Sequence, residues 1–82
     1  MKQLFYFYGP WCQPCKSFSP VIDQVSKNIS VRKINIDYEP DVIGRFNVSS
    51  VPTVILVENE REVRRFVGVK SYNEVINFVN NG

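Results

Sequence analysis

"WCQPC", residues 11–15, holds the only two cysteines in a chain of 82 residues, and the pattern on either side of it decides the fold. Upstream, "LFYFY" at Leu4 to Tyr8 sets five apolar or aromatic residues in a row, which predicts a central strand covered on both faces. Gly9-Pro10 ends that strand. Downstream, Cys15, Phe18, Ile22, Val25 and Ile29 recur at steps of three and four. They trace one face of a helix that starts near Cys12 and fades by Asn28. Pro20 falls inside it and predicts a kink or local irregularity.

Further out, "VRKINID" at Val31 to Asp37 alternates as a second strand, parallel to the first if the helix is its crossover. Glu39-Pro40-Asp41 opens a short helix through about Phe46. "VPTVILV" at Val51 to Val57 is the most strand-like run. Glu58-Asn59-Glu60 turns it into a partner strand, Arg61 to Val67, which Gly68 breaks. Tyr72, Val75, Ile76 and Val79 mark a last amphipathic helix. Ser71 caps it, with Glu74 three residues on completing a capping box. The order is β-α-β-α-β-β-α: an α/β fold with a four-stranded mixed sheet flanked by three helices. At this length residues 1–82 make one domain.

Ten basic and eight acidic residues give a net charge of +2, and the signs are interspersed. The densest basic group, Arg61, Arg64 and Arg65, is interrupted by Glu60 and Glu62. It reads as a solvated strand edge rather than a nucleic-acid patch. No apolar run approaches the roughly 18 residues of a membrane span. The N-terminal apolar run is too short for a signal peptide and lacks a cleavage site. We therefore expect a cytoplasmic monomer that engages neither nucleic acid nor membrane. In that compartment a cysteine pair is more often catalytic or metal-binding than structural.

Zinc held by Cys12 and Cys15 would need two more ligands. The chain has no histidine and no third cysteine, leaving only a carboxylate-completed or shared site. As a staple, a ring of about four residues stabilises by only roughly 2 kcal/mol, and strain in so small a ring erodes that. A reactive pair explains more. With the helix starting at Cys12, its sulfur meets unpaired backbone N–H groups and the positive end of the helix dipole. Both favour the thiolate, which makes Cys12 the nucleophile. Cys15, one turn along the same face, can resolve a mixed disulfide between Cys12 and a substrate. Pro14 is tolerated because a first-turn N–H has no intrahelical acceptor.

These residues resemble the thioredoxin family. "WCQPC" is similar to that family's Trp-Cys-Gly-Pro-Cys, with Gln13 in place of glycine. Lys16 and Pro20 fall where the family carries a lysine and a helix-kinking proline. "KINID" at Lys33 to Asp37 resembles the lysine-bearing strand behind the active site. "VPT" at Val51 to Thr53 resembles the segment whose proline is cis and faces the cysteines. Val67-Gly68 matches the glycine loop that completes the substrate groove. The resemblance implies a minimal thioredoxin fold and a protein-disulfide reductase with no bound cofactor beyond the redox-active Cys12–Cys15 pair. Its partners would be disulfide-containing proteins and an electron donor such as a thioredoxin reductase. Trp11, Val51, Pro52 and Gly68 would line the groove for the substrate backbone.

Two departures stand out. The family's N-terminal strand and helix have no counterpart here. The buried aspartate behind the second cysteine aligns with Tyr6, and a phenol with a reference pKa near 10 is a poor base at neutral pH. Water or Lys33 is then expected to assist deprotonation of Cys15. Gln13 lies between the sulfurs, where it can shift the reduction potential. Two other functions stay open. One is a glutaredoxin-like reductase using glutathione, suggested by the size and by Ser50-Val51-Pro52. Against it stand the WCQPC motif and Gly68-Val69 where a Gly-Gly pair is expected. The other is an interaction module in which redox activity is incidental.

Overall fold

The computed structural model describes residues 1–80. Strand β1 (Lys2–Tyr8) is the centre of the sheet, and its sequence accounts for that place. Leu4, Tyr6 and Phe7 are fully buried and Phe5 nearly so. A strand sends alternate side chains to opposite faces, so this run can be satisfied only with a core on each side. On one side β1 pairs in parallel with β2 (Val31–Asn35), and on the other it pairs antiparallel with β3 (Thr53–Glu58). β4 (Arg61–Val67) completes the order β2-β1-β3-β4.

Leu4 and Tyr6 face the larger core. There they meet Phe18, Ile22 and Val25 from helix α1 (Gln13–Val25), and Val75 and Val79 from α3 (Tyr72–Asn80). Phe18 stands edge-on to Tyr6 with ring centroids 5.7 Å apart. Edge-to-face aromatic pairs of this kind add about 0.5–1.5 kcal/mol beyond area burial. Phe5 and Phe7 face the smaller core, closed by α2 (Pro40–Phe46), whose Phe46 stands edge-on to Phe5 at 5.4 Å. The two faces are thus unequal, two helices against one.

The predicted order of elements is the observed one, with shifted ends. β1 starts two residues before Leu4, where Lys2 and Gln3 pair with Glu58 and Val57. α1 stops at Val25 and is followed by turns in which Asn28 and Ile29 both bond the Val25 carbonyl. Ile29 therefore joins the core from the turn rather than from the helix. Despite Pro20, α1 runs unbroken from Gln13 to Val25. β2 ends at Asn35, not Asp37, because the Asn35 side chain accepts the Asp37 N–H at 2.9 Å and its carbonyl accepts from Tyr38 at 3.0 Å. β3 begins at Thr53, after a cis Val51–Pro52 peptide. Asn59 and Glu60 both take left-handed backbone (φ 53° and 66°), the conformation that lets a two-residue turn follow strand twist.

Edge strand β4 carries the basic cluster. Arg65 bonds Glu62 and the Phe46 carbonyl, and Arg64 bonds the Phe78 carbonyl. These arginines tie the sheet edge to helix ends, where C-terminal carbonyls lack partners. At α3 the capping box is present: Glu74 N–H donates to Ser71 Oγ at 3.2 Å, and Ser71 N–H to Glu74 Oε1 at 2.9 Å.

Candidate active site

Gly9 and Pro10 turn the chain from β1 into α1, and the Cys12 N–H closes that turn on the Gly9 carbonyl at 3.0 Å. Gly9 is needed for space: a Cβ there would lie 2.7 Å from the Trp11 indole. Trp11 is 61% exposed, and its indole donates through Nε1 to Asp37 Oδ2 at 3.2 Å. Trp11 is therefore an exposed aromatic surface fixed at both ends, by Gly9 beneath and by the end of β2 beside it.

Cys12 is the N-cap of α1, with extended backbone (φ −89°, ψ 114°). Its sulfur accepts the Cys15 N–H at 3.3 Å, the bond an N-cap side chain makes to N3. That N–H has no partner within the helix, so the sulfur satisfies it while receiving its partial positive charge. Gln13 and Pro14 occupy the first two helical positions and are exposed. The Cys15 sulfur lies 2.6 Å from that of Cys12, and both cysteines are free. Cys12 is 7% exposed and Cys15 2%. The sulfur nearer the surface is therefore the one at the helix end.

Across from Cys12, its sulfur faces the Val51 carbonyl at 3.9 Å. Pro52 follows, and its carbonyl accepts the Gly68 N–H at 2.9 Å. Gly68 has φ +99°, open to glycine without strain and disfavoured for other residues. A pocket of about 380 Å³ lies beside Trp11, walled by Ile36, Ile43, Val48, Ser50 and Val51. Val51 therefore faces the Cys12 sulfur and shares a pocket wall with Trp11, while the buried Pro52 joins Val51 to Gly68 through its carbonyl.

Behind Cys15 stands Tyr6, wholly buried. Its hydroxyl donates to the Cys15 carbonyl at 3.2 Å and lies 3.4 Å from Ser19 Oγ. Ser19 donates to the same carbonyl at 3.0 Å. Burial pushes the Cys15 thiol up to about 11, reinforced by its bond to Cys12. Burial likewise pushes the Tyr6 phenol up to about 12. At neutral pH Tyr6 is a protonated donor, not a base.

Lys33 is the register partner of Tyr6 across β1 and β2, but its ammonium is paired at the surface with Asp23. That pairing directs it to a carboxylate rather than to the Cys15 sulfur, so the help expected from Lys33 is not what the side chain is placed to give. Two site residues escaped the sequence reading, Asp37 and Ser19. Ser19 lies four residues after Cys15, the spacing at which a helical hydroxyl reaches back to a carbonyl, so a signal existed. Asp37 is 26 residues from Trp11 and nothing local marks it.

Among the described residues no group of three or more His, Cys, Asp or Glu could hold a metal ion. No helix among them is long and apolar enough to cross a membrane.

A helix-capping thiol beside a buried second thiol, opposite a proline segment in this fold, defines a thiol–disulfide oxidoreductase. Comparison with known proteins agrees. A family model described as Thioredoxin matches residues 1–81. The thioredoxin of Chlamydia caviae is 38% identical over 80 residues, covering 94% of this chain and 78% of that protein. That of Rickettsia bellii is 34% identical over 79 residues, covering 92% and 75%. Among solved structures, malaria-parasite thioredoxin-2, described as a component of the parasite's protein secretion machinery, superposes with a TM-score of 0.90 at 28% identity. It covers all of this chain and 84% of that one. A mutant thioredoxin from Halobacterium salinarum reaches 0.91 at 26% identity, with 98% and 73% covered. The chain belongs to the thioredoxin family, and its activity is that of a protein-disulfide oxidoreductase.

Proposed function

We propose that the chain works as a single domain and a cytoplasmic monomer that reduces protein disulfides. Cys12 is the attacking thiolate and Cys15 the resolving thiol. The observation that carries this assignment is the Cys15 N–H held on the Cys12 sulfur at the N-terminus of α1. Substrate backbone lies along Trp11, Val51, Pro52 and Gly68, and the oxidised pair is returned to dithiol by a flavin-dependent thioredoxin reductase. No bound cofactor takes part.

In the first step the Cys12 thiolate attacks one sulfur of the substrate disulfide. A mixed disulfide forms, and the other substrate sulfur leaves with the electron pair. In the second, Cys15 attacks Cys12, the Cys12–Cys15 bond forms, and the second substrate sulfur departs and takes up a proton. Two electrons pass from the dithiol to the substrate.

Insulin reduction coupled to thioredoxin reductase tests this reading. Activity is expected with that reductase and not with glutathione as sole donor. Cys12→Ser abolishes reduction, and Cys15→Ser accumulates a mixed disulfide with the substrate. Reduction that persists in Cys12→Ser, or support by glutathione alone, contradicts it. Partner binding that survives loss of both sulfurs would instead mark an interaction module.

A further inference from the structure

The smaller face of the sheet is longer than the helix that covers it. β1 has seven residues and spans about 23 Å, whereas α2, also seven residues, is only about 10 Å long. Its last residue, Phe46, stands over Phe7 and Phe5, with ring centroids 6.3 and 5.4 Å away. Past that helix end a cavity of about 370 Å³ opens over Gln3 on β1 and its register partner Val57 on β3. It shares no lining residue with the pocket beside Trp11. It lies along the first half of β1, whereas the cysteines follow the other end of that strand.

Two arginines from different elements line this cavity, Arg32 from β2 and Arg45 from α2. Each is held over a ring of the floor, Arg32 over Phe5 at 5.5 Å and Arg45 over Phe46 at 5.2 Å. A guanidinium carries five N–H donors. Arg32 spends one on Glu39, and Arg45 spends one on the Glu60 carbonyl at 2.9 Å. Arg45 thus holds its charge against a neutral acceptor, with no carboxylate paired to it among the described residues. We propose that the cavity binds a small phosphate monoester with a compact apolar body. The body rests on Phe5, Phe46 and Val57, and the phosphate oxygens take the open N–H groups of Arg45 and Arg32. A phosphate monoester brings close to two negative charges and three terminal acceptor oxygens, enough for two guanidiniums. A carboxylate brings one charge and two oxygens, enough for one fork. The volume falls within the roughly 300–1,000 Å³ of small-molecule pockets.

Titration of the reduced, nitrogen-15-labelled protein with phenyl phosphate, followed by amide NMR shifts, tests the site. Saturable shifts are expected at Gln3, Phe5, Arg32, Arg45 and Val57, with a Kd on the order of 1 mM, and none at Cys12 or Cys15. Arg45→Gln should weaken binding about tenfold. Arg32→Gln should weaken it about threefold, because Glu39 already takes one of its donors. Arg61→Gln, at an exposed arginine of β4 off the cavity lining, should leave binding unchanged. Insulin reduction should be unaltered in all three variants, which shows the fold intact. Inorganic phosphate lacks the apolar body and benzoate the second charge, so each should bind about tenfold more weakly than phenyl phosphate. Phenol, without charge, should give no saturable shift. The proposal is overturned by the absence of saturable shifts, or by shifts spread over basic residues throughout the surface. It is also overturned if both cavity variants bind as the parent does, or if inorganic phosphate binds as tightly as phenyl phosphate.

Discussion

The rim around Cys12 and the floor behind Cys15 are separated by less than one helical turn, yet their physics is opposite. At the rim the sulfur caps a helix, accepts a backbone N–H and faces a peptide carbonyl. At the floor Cys15 is buried, with the Tyr6 hydroxyl on its carbonyl, and burial holds its thiol up to about 11. The same side chain thus caps a helix end in one place and is kept neutral by burial in the other. Such a gradient, rather than the motif itself, sets the order of events. On the proposed mechanism the sulfur at the helix end attacks first, and the more deeply buried one acts only after the first is bonded to substrate.

Removing the rim sulfur breaks the comparison most severely. Cys12→Ser should take insulin reduction to the uncatalysed background, and Cys15→Ser should stop turnover after one event, with one substrate bound per chain by mass spectrometry. The next largest effect comes from giving the floor a base. Tyr6→Asp should speed resolution of the mixed disulfide by Cys15 several-fold near neutral pH, and a rate unchanged across pH contradicts this. The same change empties an aromatic site in the core and should lower stability by about 3 kcal/mol in urea unfolding.

Alkaline stability offers a sharper test of the floor alone. Cys15 and Tyr6 titrate higher in the folded protein than their ordinary values of 9.0 and 10.0. The unfolded chain therefore loses these protons first, and stability falls as pH rises. Their contribution is full below about pH 9 and lost progressively by about 12. The melting temperature of the reduced protein should decline across that window, and Cys15→Ser should flatten its lower half. At the rim the effects are smaller. Gly68→Ala meets no steric obstacle but must hold φ +99°, which costs about 1–2 kcal/mol. It should raise KM for insulin more than it lowers kcat. Smallest of all, Asp37→Asn should loosen Trp11 and change its fluorescence with little loss of stability.

Much of this contrast was legible in the chain. LFYFY can only be a strand buried twice, WCQPC carries its own helix start, and Ser71 with Glu74 writes out a capping box. Gly68 and Pro52 were legible as interruptions of strand pattern. These signals are local, because periodicity and caps are set by neighbours within a turn or two. The partner of Trp11 was not legible, since Asp37 reaches it only through the pairing of β1 with β2. Lys33 shows the same limit from the other side. Its position beside Tyr6 follows from strand register, but its choice of Asp23 on α1 depends on how the helix lies over the sheet. Strand ends at Lys2 and Asn35 moved for the same reason: pairing partners and a side-chain turn outweigh the apolar pattern.

The difference in reactivity between the two sulfurs is open to direct measurement. The reduced protein is treated near neutral pH with less than one equivalent of iodoacetamide, and the labelled residue is located by peptide mass spectrometry. Thiolate, not thiol, reacts with the alkylating agent. The label is expected on Cys12, with Cys15 unmodified; label on Cys15, or shared equally between the two, would contradict the assignment of Cys12 as the attacking thiol.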